Sequence, residues 1–287
     1  MSHYLKFLFS ALFVFSTLSL SANAQTNDIV NESAMASSAC NASGFMMDDD
    51  SDCRVTPSTF STTIYEIGLC TAHPYGAVKT SATFDASTCV VIYTDAAPAA
   101  VDLAAAIGTN TALPGTASAP PEGTYGFPYI KLGTDFTVAG SFTNTPTGGV
   151  ATTYYSRSNG TVGTTAPAVA KTDSLKNFGD TNCSSGYVGA AVVGGTMDGF
   201  ITDTAFTRSL DNDKSVAPVI CNKSDRLVAV MNLAAPFTVT SQTIAVNFNF
   251  VLTNYGAQFV DGNNVAGAPE EFGSAPFAGY FTVLNAD

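Results

Sequence analysis

The arrangement of apolar and polar residues along this chain is typical of short β-strands. In Thr59–Cys70 and in 242–254, apolar residues alternate with small or polar ones at a period of two. Such alternation predicts strands with one buried and one exposed face. The predicted buried faces are Thr63, Tyr65, Ile67 and Leu69 in the first segment, and Ile244, Val246, Phe248, Phe250 and Leu252 in the second.

More strand-like runs follow at short intervals, with Gly, Pro, Asn, Asp, Ser and Thr between them. The alanine-rich run 99–107 suggests a short helix, and 31–38 is a second, weaker helix candidate. This pattern predicts an all-β protein, an antiparallel β-sandwich of the jelly-roll or immunoglobulin/prealbumin-like kind, with long loops and disulfide staples. The runs are 81–84, 89–94, 124–132, 136–143, 152–156, 186–193, 226–233 and 277–284.

The chain divides into three predicted parts. Residues 1–24 have the features of a secretory signal peptide, because a weakly basic start precedes the apolar run 7–18 and a small-x-small site ends at Ala24. An N-terminal segment, 25–58, then carries an acidic loop between cysteines, and 59–287 forms the β-sandwich. The Gly- and Pro-rich stretch 144–182 is either a long excursion of one domain or the boundary of a second one.

Composition and charge narrow the class of protein. The chain has 287 residues, 11 Lys and Arg against 23 Asp and Glu, and a formal net charge of −12. A nucleic-acid binder needs a surplus of basic residues, and a disordered acidic chain has fewer apolar residues than the 46% found here. Together with the leader, these values indicate a secreted protein that is extracellular, at the cell surface or periplasmic, without nucleic-acid partners or membrane insertion.

Six cysteines in an exported chain predict a disulfide framework. A metal site is disfavoured because no C-x-x-C motif occurs and His73 is the only histidine after the leader. Six cysteines allow many connectivities, among which we favour pairing of neighbours along the chain. The predicted pairs are Cys40 with Cys53, Cys70 with Cys89, and Cys183 with Cys221.

One stretch resembles a known family. The residues Ala100-Val101-Asp102-Leu103, Leu113-Pro114-Gly115 and Gly123-Thr124-Tyr125, followed by a strand at 129–132, are similar to the pattern of exported prealbumin-like and carboxypeptidase-regulatory-like β-sandwich domains. The resemblance covers 59–143. It implies a secreted or surface sandwich with an accessory or adhesive role, and it transfers no catalytic residue.

Motifs of catalysis are missing from the sequence. It contains no G-x-S-x-G, H-E-x-x-H or Walker motif. We interpret His73 as a turn residue, and Glu66 and Asp135 as ordinary strand-surface or turn residues. The chain is therefore predicted not to be an enzyme.

Two weaker features bear on binding. The acidic run between Cys40 and Cys53 offers hard oxygen ligands that suit calcium, although a solvated loop without an ion, and hence no cofactor, is the simpler interpretation. Tyr154 and Tyr155 lie in a Gly- and Thr-rich stretch, where one of the two rings is expected to meet a partner. The candidate calcium ligands are Asp48, Asp49, Asp50 and Asp52.

The sequence favours a secreted, non-enzymatic structural or adhesive protein, such as a filament or surface-layer subunit, with protein partners or self-association. One alternative is a β-sandwich module that binds carbohydrate or a calcium-dependent ligand, with glycans as partners. A second alternative is an outer-membrane β-barrel, which strands of alternating polarity would also suit.

Overall fold

The computed structural model describes residues 38–40, 52–79, 81–109, 112–145, 150–176, 186–192, 194–209, 223–261, 268–275 and 277–285. Its helical residues in these ranges form two single 3-10 turns, Ala86–Thr88 and Ala104–Ala106. The strands are β1 (Ser38–Ala39), β2 (Asp52–Val55), β3 (Thr59–Cys70), β4 (Cys89–Thr94), β5 (Ala100–Asp102), β6 (Thr116–Ala117), β7 (Gly123–Tyr125), β8 (Phe127–Leu132), β9 (Asp135–Ala139), β10 (Ser141–Asn144), β11 (Thr152–Ser156), β12 (Val162–Gly163), β13 (Lys171–Ser174), β14 (Tyr187–Val192), β15 (Gly195–Thr202), β16 (Arg226–Leu233), β17 (Phe237–Val239), β18 (Thr243–Val251), β19 (Ala257–Val260), β20 (Glu271–Ser274) and β21 (Ala278–Asn285).

The largest sheet has ten strands, with the order β13-β9-β3-β8-β16-β15-β14; β4 and β5 also pair with β3, and β6 pairs with β4. Smaller sheets have the orders β1-β2-β19-β20 and β10-β11-β12, and two ribbons pair β17 with β7 and β18 with β21. Among the described strands, every pair except β1 with β2 is antiparallel. The prediction of an all-β, antiparallel, disulfide-stapled fold is confirmed.

The main core lies between the large sheet and the ribbon of β18 and β21. Side chains of Ile130, Ala229 and Met231 on the sheet line one narrow apolar space together with Phe248 and Phe281 of the ribbon. Aromatic rings then continue the core away from this space, because Phe60, Phe136 and Phe277 form a mutual cluster with centroid distances of 5.6–6.2 Å. This arrangement of two apolar faces against each other is the sandwich that the alternation predicts.

Strands from all parts of the chain share sheets. β2, from the predicted N-terminal segment, pairs with β19, and β13, from the stretch 144–182, pairs with β9. The predicted division at 58 and the possible boundary in 144–182 stay predictions. Residues 1–37, which include the predicted signal peptide, lie outside the described residues.

The predicted face of β3 is half right. Ile67 and Leu69 are fully buried, but Thr63 and Tyr65 are only half-buried. The register with β8 shifts at Tyr65, so that this strand has a β-bulge there. One extra residue moves the following side chains to the other face. The buried residues before the bulge are therefore Phe60, Thr62 and Ile64.

The predicted face of β18 is correct except at its start. Ile244 is 56% exposed. The pairing with β21 shifts register at this residue, which again indicates a bulge. The rest of the predicted face is buried, namely Val246, Phe248, Phe250 and Leu252.

The prediction of a helix at 99–107 is wrong. The segment forms β5 and then only the 3-10 turn Ala104–Ala106. The carboxylate of Asp102 accepts hydrogen bonds from the backbone N–H groups of Phe60 and Ala104, both at 3.0 Å. These bonds tie the run to β3, and a side chain that bonds the backbone in this way favours a turn over a helix.

Gly68 of β3 makes room for the ring of its cross-strand neighbour Tyr129. A Cβ atom at this position would lie 2.4 Å from three atoms of the Tyr129 side chain. The missing side chain therefore lets this buried tyrosine lean across β3.

We expect Gly68→Ala to destabilise the protein by about 1–3 kcal/mol, because the buried ring must shift to accommodate the methyl group. Gly123→Ala is the matched control, since the nearest atom to its Cβ is the Tyr125 Oη at 3.4 Å. Urea unfolding of both variants measures the difference. Equal stability of the two variants would mean that Tyr129 does not depend on this glycine.

Candidate functional site

The second face of the large sheet is covered by the loop between β3 and β4. We call residues 71–79 and 81–88 the cover segment. Its ends are joined by the Cys70–Cys89 disulfide and by a hydrogen bond from Thr71 N to Thr88 O. The cover segment contributes Tyr75 to a smaller apolar cluster, whose other members lie on strands of the sheet, namely Cys70, Tyr129, Phe200, Val228 and Val230.

Aromatic rings hold the cover segment to the sheet. Tyr75 is fully buried, and its ring centroid lies 4.4 Å from that of Phe200 on β15. The ring of Phe84 lies 5.0 Å from that of Tyr129 on β8. Because aromatic pairs at these distances bury large apolar areas, they stabilise the contact between the cover segment and the sheet.

A buried carboxylate lies beneath the cover segment. Asp198 of β15 is 1% exposed, and its Oδ1 accepts hydrogen bonds from Lys79 Nζ and from the Tyr187 hydroxyl, both at 2.8 Å. Its Oδ2 lies 3.4 Å from Nε2 of His73. The carboxylate thus joins the cover segment to β14 and β15 at one point.

A hydrogen bond from the local backbone determines the tautomer of neutral His73. The residue begins a turn, as predicted, in which Gly76 N–H donates to its carbonyl at 2.9 Å. The backbone N–H of Tyr75 donates to His73 Nδ1 at 3.1 Å. Since Nδ1 is the acceptor in this bond, the ring hydrogen of the neutral form lies on Nε2, which faces Asp198.

The environment of Asp198 keeps it ionised. Burial by itself raises the pKa of a carboxyl group, but the contacts with His73, Lys79 and Tyr187 outweigh it and lower the pKa of Asp198 below its ordinary value. A buried charge that is compensated in this way is costly to neutralise or to remove.

A second charged pair lies beside this cluster on the same face. Lys131 and Glu66 are direct cross-strand partners, with Nζ and Oε1 2.8 Å apart, and the Tyr129 hydroxyl donates to the same oxygen at 2.6 Å. The Lys131 ammonium also lies 3.5 Å from the ring centroid of Phe206 and 4.5 Å from that of Phe84. Burial lowers the pKa of Lys131, and burial together with the hydrogen bond to Glu66 raises the pKa of Tyr129.

The loop after β15 also binds the cover segment through hydrogen bonds and ring contacts. Arg208 N donates to Ala82 O at 2.8 Å, and its guanidinium donates to the carbonyl of Lys79. That guanidinium also lies 4.6 Å from the ring centroid of Phe200. The Tyr75 hydroxyl donates to the carbonyl of Phe206 at 3.0 Å.

Chemically, this arrangement supports attachment of the loop to the sheet. His73 and Asp198 have the proximity of an acid–base pair, but side-chain exposures of 3% and 1% show that both groups are buried between the cover segment and the sheet. Within the described ranges, no group of three or more His, Cys, Asp or Glu side chains is placed to hold a metal ion.

The predicted cysteine pairs are confirmed where the structure describes them. Cys40 pairs with Cys53 and Cys70 pairs with Cys89. Cys183 and Cys221 lie outside the described residues, so their pairing stays a prediction.

Of the predicted calcium ligands, Asp48, Asp49 and Asp50 lie outside the described residues. Asp52 is the first residue of β2 and is half-buried, and this burial raises its pKa. A raised pKa reflects an environment that disfavours the charged carboxylate. The calcium site stays a prediction.

The two predicted contact tyrosines lie on β11 and point to opposite faces. Tyr154 packs against the main core, with its ring stacked 5.7 Å from that of Phe142. By the alternation of a strand, Tyr155 points away from this contact. It is half-buried, so part of its ring reaches solvent.

Sequence reasoning missed the residues around His73. Lys79 and Asp198 are 119 residues apart in the chain, and no local motif joins them. The sequence did contain a signal for the neighbouring pair of Lys131 and Glu66, because Lys131 is a charged residue in the otherwise apolar strand β8. A charge in a strand that is apolar on both sides indicates a buried partner.

Comparisons of the chain with protein-family models, with curated proteins and with solved structures find no match. The resemblance to prealbumin-like domains therefore stays a prediction. In the part of the chain that the structure describes, no helix is long and apolar enough to cross a membrane.

We expect Asp198→Asn to lower the free energy of unfolding at neutral pH by about 3 kcal/mol, because Lys79 loses its buried counter-charge. The lowered pKa of Asp198 means that the unfolded chain takes up this proton at a higher pH than the folded chain. The stabilisation is therefore complete above the ordinary pKa of an aspartate and is lost as the pH falls through the lower, folded value.

Thermal melting from neutral pH into the acid range measures this difference. The wild-type melting temperature should fall more steeply below about pH 4 than that of Asp198→Asn. Glu122→Gln removes an exposed carboxylate and serves as the control. Parallel melting curves for wild type and Asp198→Asn would show that the carboxylate does not hold the cover segment.

Proposed function

We propose that this chain is an exported, non-enzymatic structural protein that works by contact with copies of itself and with other proteins. The observation that carries the proposal is the burial of His73, the one histidine that the structure describes. His73 of the cover segment and Asp198 of β15, which have the chemistry of a catalytic pair, are both buried and face each other where the segment meets the sheet. Residues that would serve catalysis at a surface here serve the stability of a loop.

The disulfides support a location outside the cytoplasm. Both described bonds, Cys40–Cys53 and Cys70–Cys89, close short loops of the fold. Such bonds persist in oxidising compartments. A disulfide-stapled β-sandwich with only 12% charged residues is suited to a structural role at the cell exterior.

The sheet of β10, β11 and β12 supplies a candidate contact surface. Its inner face is anchored through Tyr154 and Phe142, while Tyr155 lies on the outer face beside a pair of threonines whose hydroxyls are 2.9 Å apart, Thr143 and Thr153. A rigid tyrosine on an anchored sheet gives contact area at a small entropic cost, which favours association.

We expect self-association to strengthen several-fold as salt rises from low to physiological ionic strength. The reason is that the formal net charge of −12 makes copies repel one another, and salt screens this repulsion. Sedimentation velocity on the purified protein measures it, and electron microscopy shows the form of the assemblies. Dissociation by salt would point to contacts held by ion pairs and would contradict association through the uncharged surface around Tyr155.

The two tyrosines of β11 give a matched pair of variants. Tyr155→Ser is expected to weaken self-association while leaving the melting temperature unchanged, because its ring is not part of the core. Tyr154→Ser should destabilise the fold by about 2 kcal/mol through the loss of packing against Phe142. Unfolding of the Tyr155 variant would place that ring in the core and remove it as a contact.

A further inference from the structure

One carboxylate faces the positive charge that the cover segment brings to the sheet. Asp198 Oδ1 accepts a hydrogen bond from Lys79 Nζ at 2.8 Å, and Asp198 Oδ2 lies 3.4 Å from His73 Nε2. His73 and Lys79 are the basic residues of the cover segment. From β14, the Tyr187 hydroxyl donates to the same carboxylate. The charge of Asp198 therefore compensates the basic side chains of the loop.

The other charged groups of this face do not replace Asp198. Glu66 of β3 is already paired with Lys131 of β8, with Oε1 and Nζ 2.8 Å apart. Arg208, in the loop after β15, adds a further positive charge beside the cover segment, because its guanidinium donates to the carbonyl of Lys79. Neutral Asp198 would leave an excess of positive charge in this contact, and like charges repel more strongly where water is excluded.

Acid also acts on the turn that positions His73. The backbone N–H of Tyr75 donates to His73 Nδ1 at 3.1 Å. An imidazole that takes up a second proton carries a hydrogen on both ring nitrogens, so its Nδ1 no longer accepts. Attraction of the charged ring to ionised Asp198 offsets the loss of this bond. That attraction ends when Asp198 is neutral.

The backbone at this contact is strained. Lys79 and Phe206 have positive φ angles of 59° and 62°, a left-handed conformation that residues with large side chains seldom adopt. They lie on opposite sides of the contact, because the carbonyl of Lys79 accepts from Arg208 and the carbonyl of Phe206 accepts from Tyr75. Such strain persists only where surrounding contacts hold it. Separation of the cover segment from the sheet would therefore relieve it.

The base of the cover segment is closed covalently. The Cys70–Cys89 disulfide joins the end of β3 to the start of β4, and Thr71 N donates to Thr88 O at 2.9 Å beside it. A link between both ends of the segment restricts its motion to an opening about this base. The segment can then return to the same place on the sheet.

We propose that acid releases the cover segment, which opens about the Cys70–Cys89 bond when Asp198 is protonated, while the ten-stranded sheet stays folded. Opening uncovers the rings of Phe200 and Tyr129, which Tyr75 and Phe84 of the cover segment now contact. The release concerns a single copy of the chain, so it does not depend on the proposed self-association.

Hydrogen exchange of the full chain at neutral pH and at about pH 3, below the ordinary pKa of an aspartate, tests the release without a variant. The informative amides are Asp85 N, which donates to Pro74 O, and Arg208 N, which donates to Ala82 O. After correction for intrinsic rates, their protection relative to that of β8 and β16 should fall on the order of tenfold in acid. Equal losses in both places would mean global unfolding, and an unchanged ratio would mean that the segment stays closed; either result overturns the proposal.

Asp198→Asn gives an uncharged side chain at neutral pH. In this variant the same protection ratio should be on the order of tenfold lower than in wild type, and acid should change it little. Asp135→Asn removes an exposed carboxylate of β9 and is the matched control, which should exchange like wild type. A wild-type ratio in Asp198→Asn would show that this charge does not hold the cover segment. If the variant does not fold, the comparison of wild type at the two pH values decides.

Discussion

The antiparallel pairing of β3 with β8 is the contact on which the rest of the structure depends. β3 also pairs with β4, β5 and β9, and β8 also pairs with β16. The bulge at Tyr65 lets Ile64 and Ile67, which have opposite parity along the chain, both face the main core. A regular strand of this length would have placed half of its apolar side chains on the wrong face.

The same bulge decides what the other face carries. After the bulge, Glu66 and Gly68 lie on the face that the cover segment covers. Glu66 contacts Lys131 and the hydroxyl of Tyr129 there, and Gly68 makes room for the Tyr129 ring. Two charged pairs, Lys79 with Asp198 and Lys131 with Glu66, lie beside the apolar cluster of this face. Buried charges of this kind add little net stability, because their desolvation offsets their attraction. Removing one partner is nevertheless costly, because it leaves the other charged group without its compensation.

Several features follow from the sequence alone because they are local. Alternation determines strand identity, so that β3, β4, β11 and β16 have the predicted bounds or nearly so. Neighbouring cysteines that flank a short loop pair with each other, as Cys70 and Cys89 do, because a hairpin returns the chain to its start. The antiparallel, all-β class and the turn at His73 belong to the same group of local properties.

Only the tertiary structure decided which faces and which partners these elements have. The bulges of β3 and β18 depend on the register of neighbouring strands, so a strict period of two misplaces Thr63, Tyr65 and Ile244. The network of Asp198 joins a loop, a strand and an edge strand that are far apart in the chain, and Tyr154 enters the core through Phe142. Periodicity encodes how a residue relates to its neighbours in the chain, whereas register and packing bring together residues that no local pattern connects.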